Sequence, residues 1–187
     1  MTISRSFVLC IVLFSQFVAA QEPAEYASRA GSRVDEFVHE ALNYRLDLGD
    51  EAYTYVDFSD QVPEASFAAI RFNPNAFSLV VAEDIGPGMT AERYAEIVQS
   101  VMEDKLDGEI EGEFKGHADI GVRDERGMRV FQKKIYTVVG ELPITYVLTS
   151  YVDGSRAYQL LTFASKQPDE VVLAEADVLL GGFSVID

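Results

Sequence analysis

Two histidines, His39 and His117, are the side chains that could serve as the base of a nucleophilic triad. Lys115, His117 and Asp119 alternate along a predicted strand, so they share one face and could form a polar cluster or a weak metal site. His39 stands beside Glu40 on the flank of a predicted helix, where a solvated or packed imidazole is the ordinary interpretation. Zinc sites need three or four converging nitrogen or sulfur ligands, so we expect no metal.

A short acidic run precedes this cluster. Glu109, Glu111 and Glu113 share one strand face by their period of two and could attract a cation such as calcium. No Asp-x-Asp-x-Asp-Gly loop accompanies them. A solvated strand end that discourages edge pairing explains the run better.

Three tyrosines form the second candidate site. Tyr44, Tyr53 and Tyr55 could line a groove between an N-terminal hairpin and a helix, because tyrosine offers both apolar area and a hydroxyl group. The alternative is that they pack at the rim of the core.

Sequence motifs of catalysis and of cofactor binding are missing. The chain has no Gly-x-Ser-x-Gly, no His-Glu-x-x-His and no glycine-rich phosphate loop, and its single cysteine is Cys10. We therefore expect no catalytic residue, no cofactor and no enzymatic activity.

The charge balance excludes whole classes of partner. The formal net charge is −16, and the densest basic run is Lys133-Lys134. Nucleic acids and anionic membrane surfaces both require clustered basic side chains, so we expect neither as a partner.

The first twenty residues have the pattern of a cleavable signal peptide. Arg5 precedes an apolar core over residues 7–14, and Ala19 and Ala20 stand before Gln21. This core is shorter than the roughly 20 residues that span a bilayer, so no stable membrane anchor remains after cleavage. We expect an exported protein of the periplasm or the extracellular space, which loses Cys10 with its signal peptide and forms no disulfide.

The remaining chain predicts alternating elements around these residues. Residues 21–43 form an N-terminal segment in which Ser32 and Asp35 resemble a capping box and predict a short helix over residues 33–43. A hairpin follows: strands at residues 67–72 and 77–81 flank the turn Asn73-Pro74-Asn75, and Tyr53 and Tyr55 mark an earlier strand.

Two further helices and a meander complete the prediction. Thr90 caps a helix that ends at Asp107-Gly108, and Pro168 begins a last helix that ends at Gly181-Gly182, before an extended tail over residues 183–186. Between the helices, three turn signals separate four strands at residues 112–123, 128–139, 142–152 and 155–164.

These elements predict one α+β domain. The hairpin and the four-stranded meander form an antiparallel sheet, and both faces of the second meander strand carry apolar residues. Phe131, Ile135 and Val139 point one way, whereas Val130 and Val138 point the other. We therefore expect helices on both faces of the sheet.

The order of these elements resembles the Mog1/PsbP-like (DcrB-like) group over residues 44–187. The likeness rests on Ala-Phe-Ser-Leu-Val-Val at residues 76–81, Gly-Met-Thr-Ala-Glu-Arg-Tyr at 88–94, Tyr-Val-Leu-Thr at 146–149 and Gly-Phe-Ser-Val at 182–185. It implies an α/β/α sandwich and an accessory, binding or chaperone-like role without catalysis. The predicted helix before Tyr44 is not part of the common core, and no functional residue is transferred from the group.

Two functions of different class follow from these expectations. The first is an exported accessory or chaperone-like module that binds a protein partner or polypeptide segment in the cell envelope. The second is a soluble periplasmic carrier of a small apolar ligand or a cation, which requires a closed cavity or converging carboxylates.

Overall fold

The computed structural model describes residues 30–57, 62–108 and 112–186. The predicted signal peptide, residues 21–29 of the N-terminal segment, and the carboxylates of Glu109 and Glu111 lie outside these ranges. Across the ranges that are described, no helix is long and apolar enough to cross a membrane.

An eight-stranded antiparallel sheet dominates the described chain. Its strands are β1 (Ala30–Arg33), β4 (Thr54–Val56), β5 (Ala65–Phe72), β6 (Asn75–Asp84), β7 (Gly112–Glu125), β8 (Met128–Val139), β9 (Leu142–Asp153) and β10 (Arg156–Ser165). Their order in the sheet is β1-β4-β5-β6-β10-β9-β8-β7, so β6 and β10 join the hairpin to the meander. The predicted hairpin and meander are therefore confirmed.

A second, smaller sheet has three strands. Its members are β2 (Glu36–His39), β3 (Tyr44–Asp47) and β11 (Phe183–Val185), in the order β11-β3-β2. The predicted C-terminal tail thus becomes a strand, which pairs Phe183 with Leu46.

The helix predicted over residues 33–43 is wrong. This segment forms the end of β1, then β2 and a single 3-10 turn (Glu40–Leu42). Asp35 does not cap a helix but accepts a hydrogen bond from Arg33 Nε at 2.7 Å. The apolar spacing fits either period over so short a run, and pairing of His39 with Tyr44 decides for the strand.

The helix α1 (Ala91–Gly108) begins where the sequence predicts. The Oγ1 of Thr90 accepts a hydrogen bond from the backbone N–H of Arg93 at 3.2 Å, which satisfies one free donor of the first turn. Its buried apolar side chains follow helical spacing: Ala91, Tyr94, Ala95, Val98, Met102 and Leu106. They pack in one cluster with Phe131, Ile135 and Val139 of β8.

The helix α2 (Asp169–Gly182) follows Pro168 and ends at the predicted glycine pair. Val172 and Ala176 pack in a cluster with Val147 of β9, and Leu179 and Leu180 pack with Val130 of β8. The described chain is therefore an α+β fold of mostly antiparallel sheet with two helices.

Candidate interaction site

The strand β7 ends the order of the large sheet and is its longest edge. It pairs with β8 on one side, and within the described ranges no strand pairs with its outer side. Eight of its fourteen residues are exposed, compared with one of the twelve in β8. Among the described strands, β8 alone hydrogen bonds to the backbone of β7, so its outer N–H and C=O groups have no strand partner there.

Two irregularities divide this edge into three short stretches. The pairing register with β8 shifts between Phe114 and Gly116 and again between Asp119 and Gly121. Gly116 has a φ of 132° and Gly121 a φ of 110°, values that side chains other than glycine rarely allow. Such bulges twist an edge strand and discourage indiscriminate pairing along its whole length.

The predicted polar cluster lies on the middle stretch, but its three members do not all meet. Lys115 Nζ pairs with Glu113 Oε2 at 2.5 Å, away from the other two side chains. His117 Nδ1 lies 2.9 Å from Gln99 Nε2 of α1, and Asp119 Oδ1 lies 3.2 Å from Lys133 Nζ of β8. His117 and Asp119 are thus joined through two residues that the cluster prediction omitted.

Gln99 and Lys133 complete the network beneath the edge. Lys133 Nζ donates a 2.5 Å hydrogen bond to Gln99 Oε1, and its side chain is only 5% exposed. Gln99 Nε2 donates to Glu103 Oε1 one helical turn later, at 2.7 Å. Phe131, Lys133 and Ile135 alternate on one face of β8, so the sequence already placed a lysine among apolar residues. That placement was the signal that Lys133 must find buried partners.

Apolar side chains flank the network on the same edge. Ile120 is 40% exposed and Val122 is 41% exposed, and Val122 pairs across the strands with Phe131. An open backbone edge and exposed apolar side chains therefore coincide on one stretch of β7.

The three predicted groove tyrosines do not line an open groove. Tyr44 and Tyr53 are buried, and Tyr55 is half-buried beside Phe37 and Phe67. The hydroxyl of Tyr44 is hydrogen bonded to Ser66 Oγ at 2.7 Å. These contacts place the tyrosines in the aromatic core between the two sheets, which is the alternative considered from the sequence.

His39 is likewise a structural residue. Its Nδ1 accepts a hydrogen bond from the backbone N–H of Leu42 at 3.2 Å and so caps the 3-10 turn. Its ring stacks on Tyr44.

Besides its apolar packing, α2 contacts the sheet through ion pairs. Arg71 Nη1 donates to both carboxylate oxygens of Glu175, at 2.9 and 3.0 Å, while its Nη2 lies 2.9 Å from Glu51. Burial alone would lower the pKa of Arg71, but the hydrogen bonds and the charge of Glu175 outweigh it, and the pKa is raised. Arg123 Nη1 likewise meets Asp177 Oδ1 at 2.8 Å.

Asp169 forms the third attachment of α2. It accepts hydrogen bonds from Tyr136 Oη at 2.7 Å, Lys134 Nζ at 3.2 Å and Thr145 Oγ1 at 3.3 Å. The Tyr136 bond and, after it, Lys134 lower the pKa of the Asp169 carboxyl group against the opposing effect of burial. The same bond raises the pKa of Tyr136 to about 12.

One carboxyl group beside α1 shows the opposite shift. Burial raises the pKa of Glu83, while a hydrogen bond from the hydroxyl of Tyr94 opposes it. This pair is a packed structural contact between α1 and β6.

Surface clefts occur on the described chain, among them three of about 310 to 360 Å³. One lies between the start of α1 and the sheet, beside Met89, Arg129 and Val152. All three are open to solvent, unlike the closed cavity that a carrier of an apolar ligand requires. Among the residues that the structure describes, no group of three or more histidine, cysteine, aspartate or glutamate side chains could hold a metal ion.

No protein-family model and no curated protein matches this chain. Solved structures do share its fold. The solution structure of cyanobacterial PsbP (CyanoP) from Synechocystis sp. PCC 6803 is similar over 83% of this chain and 94% of its own, with 13% identity and a TM-score of 0.60. LpqN, involved in cell envelope biogenesis of Mycobacterium tuberculosis, is similar over 77% of this chain and 83% of its own, with 12% identity and a TM-score of 0.51.

A crystal structure from Bacteroides thetaiotaomicron adds a third likeness. It covers 83% of this chain and 50% of its own length, with 10% identity and a TM-score of 0.53. The predicted resemblance is confirmed at the level of fold: the described chain has a PsbP-like fold. Sequence identities of 10–13% show that the fold is shared, and they do not show a shared activity.

Proposed function

We propose that this chain is an exported, non-enzymatic accessory module that binds an extended segment of a protein partner along the outer edge of β7, in the cell envelope. The observation that carries this proposal is a fourteen-residue edge strand, largely exposed, whose outer side pairs with no strand in the described ranges. The partner segment would form a ninth strand of the large sheet through main-chain hydrogen bonds.

The layer arrangement that we infer leaves this edge open. We place α1 and α2 on opposite faces of the large sheet, as an α/β/α sandwich. In support, Tyr146 and Leu148 of β9 pack in the cluster that contains α1, whereas Val147 between them packs with α2. Helices that pack on the faces reach β7 by side chains, as Gln99 and Asp177 do, and need not cover its outer edge.

The chemistry of the chain favours a cationic partner segment. The net charge of −16 attracts positive segments and repels a second acidic copy. Ile120 and Val122 offer apolar contact beside the backbone, so a segment that mixes basic and apolar residues fits this edge best.

Two observations support an accessory role outside the cytoplasm. Two of the similar structures are those of PsbP and LpqN, and the latter is involved in cell envelope biogenesis. The two histidines of this chain make hydrogen bonds that hold its fold, His39 with the backbone of Leu42 and His117 with the Gln99 amide.

Stepwise photocrosslinking in the protein's own host tests the binding site. A photoreactive amino acid replaces Ala118, Ile120 or Val122 in turn, and the crosslinked residues of the partner are identified by mass spectrometry. Strand addition predicts crosslinks to one segment of one polypeptide, at positions that move steadily along that segment as the photoreactive group moves along β7, with an uneven step at the bulge between Asp119 and Gly121.

The matched control is Phe72, which is 51% exposed at the turn between β5 and β6. A photoreactive group there should give no crosslink to the same segment. Crosslinks that scatter over many proteins, or that come from position 72 and not from β7, would contradict the proposal. Crosslinks to a second copy would replace the foreign partner with a homodimer.

A further inference from the structure

We propose that His117 is a proton-controlled latch between β7 and α1, which fixes the middle of β7 while its imidazole is neutral and releases it when the imidazole is protonated. As a control on partner binding, this inference rests on the proposed function. The latch itself rests only on the contacts among His117, Gln99, Lys133 and Glu103.

The orientation of the Gln99 amide is determined by its two charged neighbours. Lys133 has donors and no acceptor, so the atom 2.5 Å from its Nζ must be the amide oxygen. An ionised carboxylate only accepts, so the atom 2.7 Å from Glu103 Oε1 must be the amide nitrogen. The second N–H of that nitrogen is then the group that meets His117 Nδ1 at 2.9 Å.

This orientation dictates the state of His117. Because Gln99 Nε2 donates, His117 Nδ1 must accept and carries no proton, so its single ring proton is on Nε2. The network therefore requires a neutral imidazole. A histidine side chain changes charge between about pH 5 and 8, within the range that an exported protein meets.

Protonation breaks the hydrogen bond between His117 and Gln99, because the Gln99 amide cannot rotate to exchange its oxygen and nitrogen positions. A proton on Nδ1 would face the N–H of Gln99, and rotation of the amide would present its N–H groups to Lys133. That rotation would leave an ammonium group of a 5% exposed side chain without its acceptor on α1. The exposed ring of His117 can instead swing into solvent, so it separates from Gln99.

The charged groups around His117 determine how far the effect of protonation extends. Glu103 of α1 and Lys133 of β8 both bond to the Gln99 amide that meets His117, and Lys115 and Asp119 stand two residues to either side of His117 on β7. An imidazolium is repelled by Lys133 and attracted by Glu103 and Asp119. The stretch between the two bulges of β7 then loses its hydrogen bond to the Gln99 amide, and only the solvent-screened attraction to Glu103 connects the ring to α1.

A released edge is a poorer template for strand addition. Binding to a fixed strand costs less ordering than binding to a mobile one, so partner affinity should fall as the imidazole is protonated. We expect the loss of one hydrogen bond to raise opening of the stretch around residues 116–119 by about three- to ten-fold.

Amide hydrogen exchange on the protein purified from its host tests the latch without a partner. Rates are measured at pH 7.5 and pH 5.5 and divided by the intrinsic rates at each pH. The corrected exchange of residues 116–119 should rise by about three- to ten-fold at pH 5.5 in the native chain. His117→Gln, which cannot take up a proton, should show the same corrected rate at both values.

His39→Gln is the matched control, because it removes the other histidine and should keep the full response. An unchanged corrected rate in the native chain, or a response that survives in His117→Gln, would overturn the latch.

Crosslinking from Ile120 at the two pH values separates the latch from the proposed function. A yield that falls at pH 5.5 in the native chain and not in His117→Gln supports both. If hydrogen exchange depends on pH but no ordered crosslinks form, the proposed function is contradicted and the latch is supported. If ordered crosslinks form but hydrogen exchange does not depend on pH, the latch is contradicted and the proposed function is supported.

Discussion

The two helices make different polar contacts with the sheet. Three acidic residues of α2 each pair with a basic residue of a sheet strand, as Asp169 with Lys134, Glu175 with Arg71, and Asp177 with Arg123. Both helices also pack on the sheet through apolar side chains, but the bond of α1 to the edge strand passes through the neutral amide of Gln99. The helix α2 thus meets β7 through a charge pair, Asp177 with Arg123, whereas α1 meets it through a hydrogen bond between neutral groups.

The largest expected effect tests how closely α2 approaches the small sheet. A β-carbon on Gly182 would collide with the backbone carbonyl oxygen of Asp47, whereas a β-carbon on Gly181 would meet no atom within 4 Å. Gly182→Ala should therefore lower the free energy of unfolding by roughly 3 kcal/mol, because backbone must shift to relieve the collision. Gly181→Ala should be neutral or stabilising by up to about 1 kcal/mol, since alanine favours helix.

Urea denaturation of the two variants beside the native chain measures this difference. Equal stabilities for Gly181→Ala and Gly182→Ala would mean that the end of α2 moves freely against β3. The helix would then not be held in one position.

The buried ion pair of α2 gives the next effect. Glu175→Gln leaves Arg71 with Glu51 and a neutral amide, so we expect a loss of about 2 kcal/mol in the free energy of unfolding. The side chain of Glu175 is 7% exposed, which keeps water from replacing the lost charge.

Glu170→Gln on the exposed side of the same helix is the control and should stay within about 0.5 kcal/mol of the native chain. If the two substitutions lower the free energy of unfolding equally in urea denaturation, the net charge of α2 determines the effect and the ion pair between Glu175 and Arg71 does not.

The corresponding change on α1 should cost less. Gln99→Met keeps the volume and removes the amide, and Lys133 retains Asp119 at the partly open edge, so we expect a loss of about 1 kcal/mol. The same variant should expose residues 116–119 to hydrogen exchange at every pH, because His117 loses its donor.

Ser100→Ala, an exposed neighbour on the same helix, is the control and should change neither stability nor exchange. If Gln99→Met leaves the exchange of β7 unchanged, the edge does not depend on α1, and the proposed contrast between the helices is wrong.

Local signals predicted most of the elements, and long-range pairing decided the rest. The ends of α1, the turns of the meander and the turn at Asn73-Pro74 follow from residues within a few positions of one another. The apolar spacing of residues 33–43 suited a helix or a strand, and pairing with β3 settled it. No local pattern contains that information.

The edge network was only partly predictable for the same reason. Alternation placed His117 and Asp119 on one strand, but Gln99 is 18 residues from His117 and 34 from Lys133. Their contact depends on where α1 crosses the sheet. Lys115 was predicted in the cluster because it shares the spacing, and the register shift beside Gly116 separates it from His117.

The smallest effect concerns the pH dependence of the α2 attachment. Because the pKa of Asp169 is lowered, chiefly by the hydrogen bond from Tyr136, its carboxylate stabilises the fold above the ordinary carboxyl value of 3.8. This stabilisation is lost as the pH falls through the lowered pKa, and solvent keeps it small because the side chain is 37% exposed. The native chain should therefore exceed Asp169→Asn in stability by more at pH 6 than at pH 3, whereas Tyr136→Phe should move the pKa of Asp169 back toward 3.8 in a carbon-13 titration. An unmoved pKa in Tyr136→Phe would assign the shift to Lys134, and the attachment of α2 at its first turn would then be a charge pair alone.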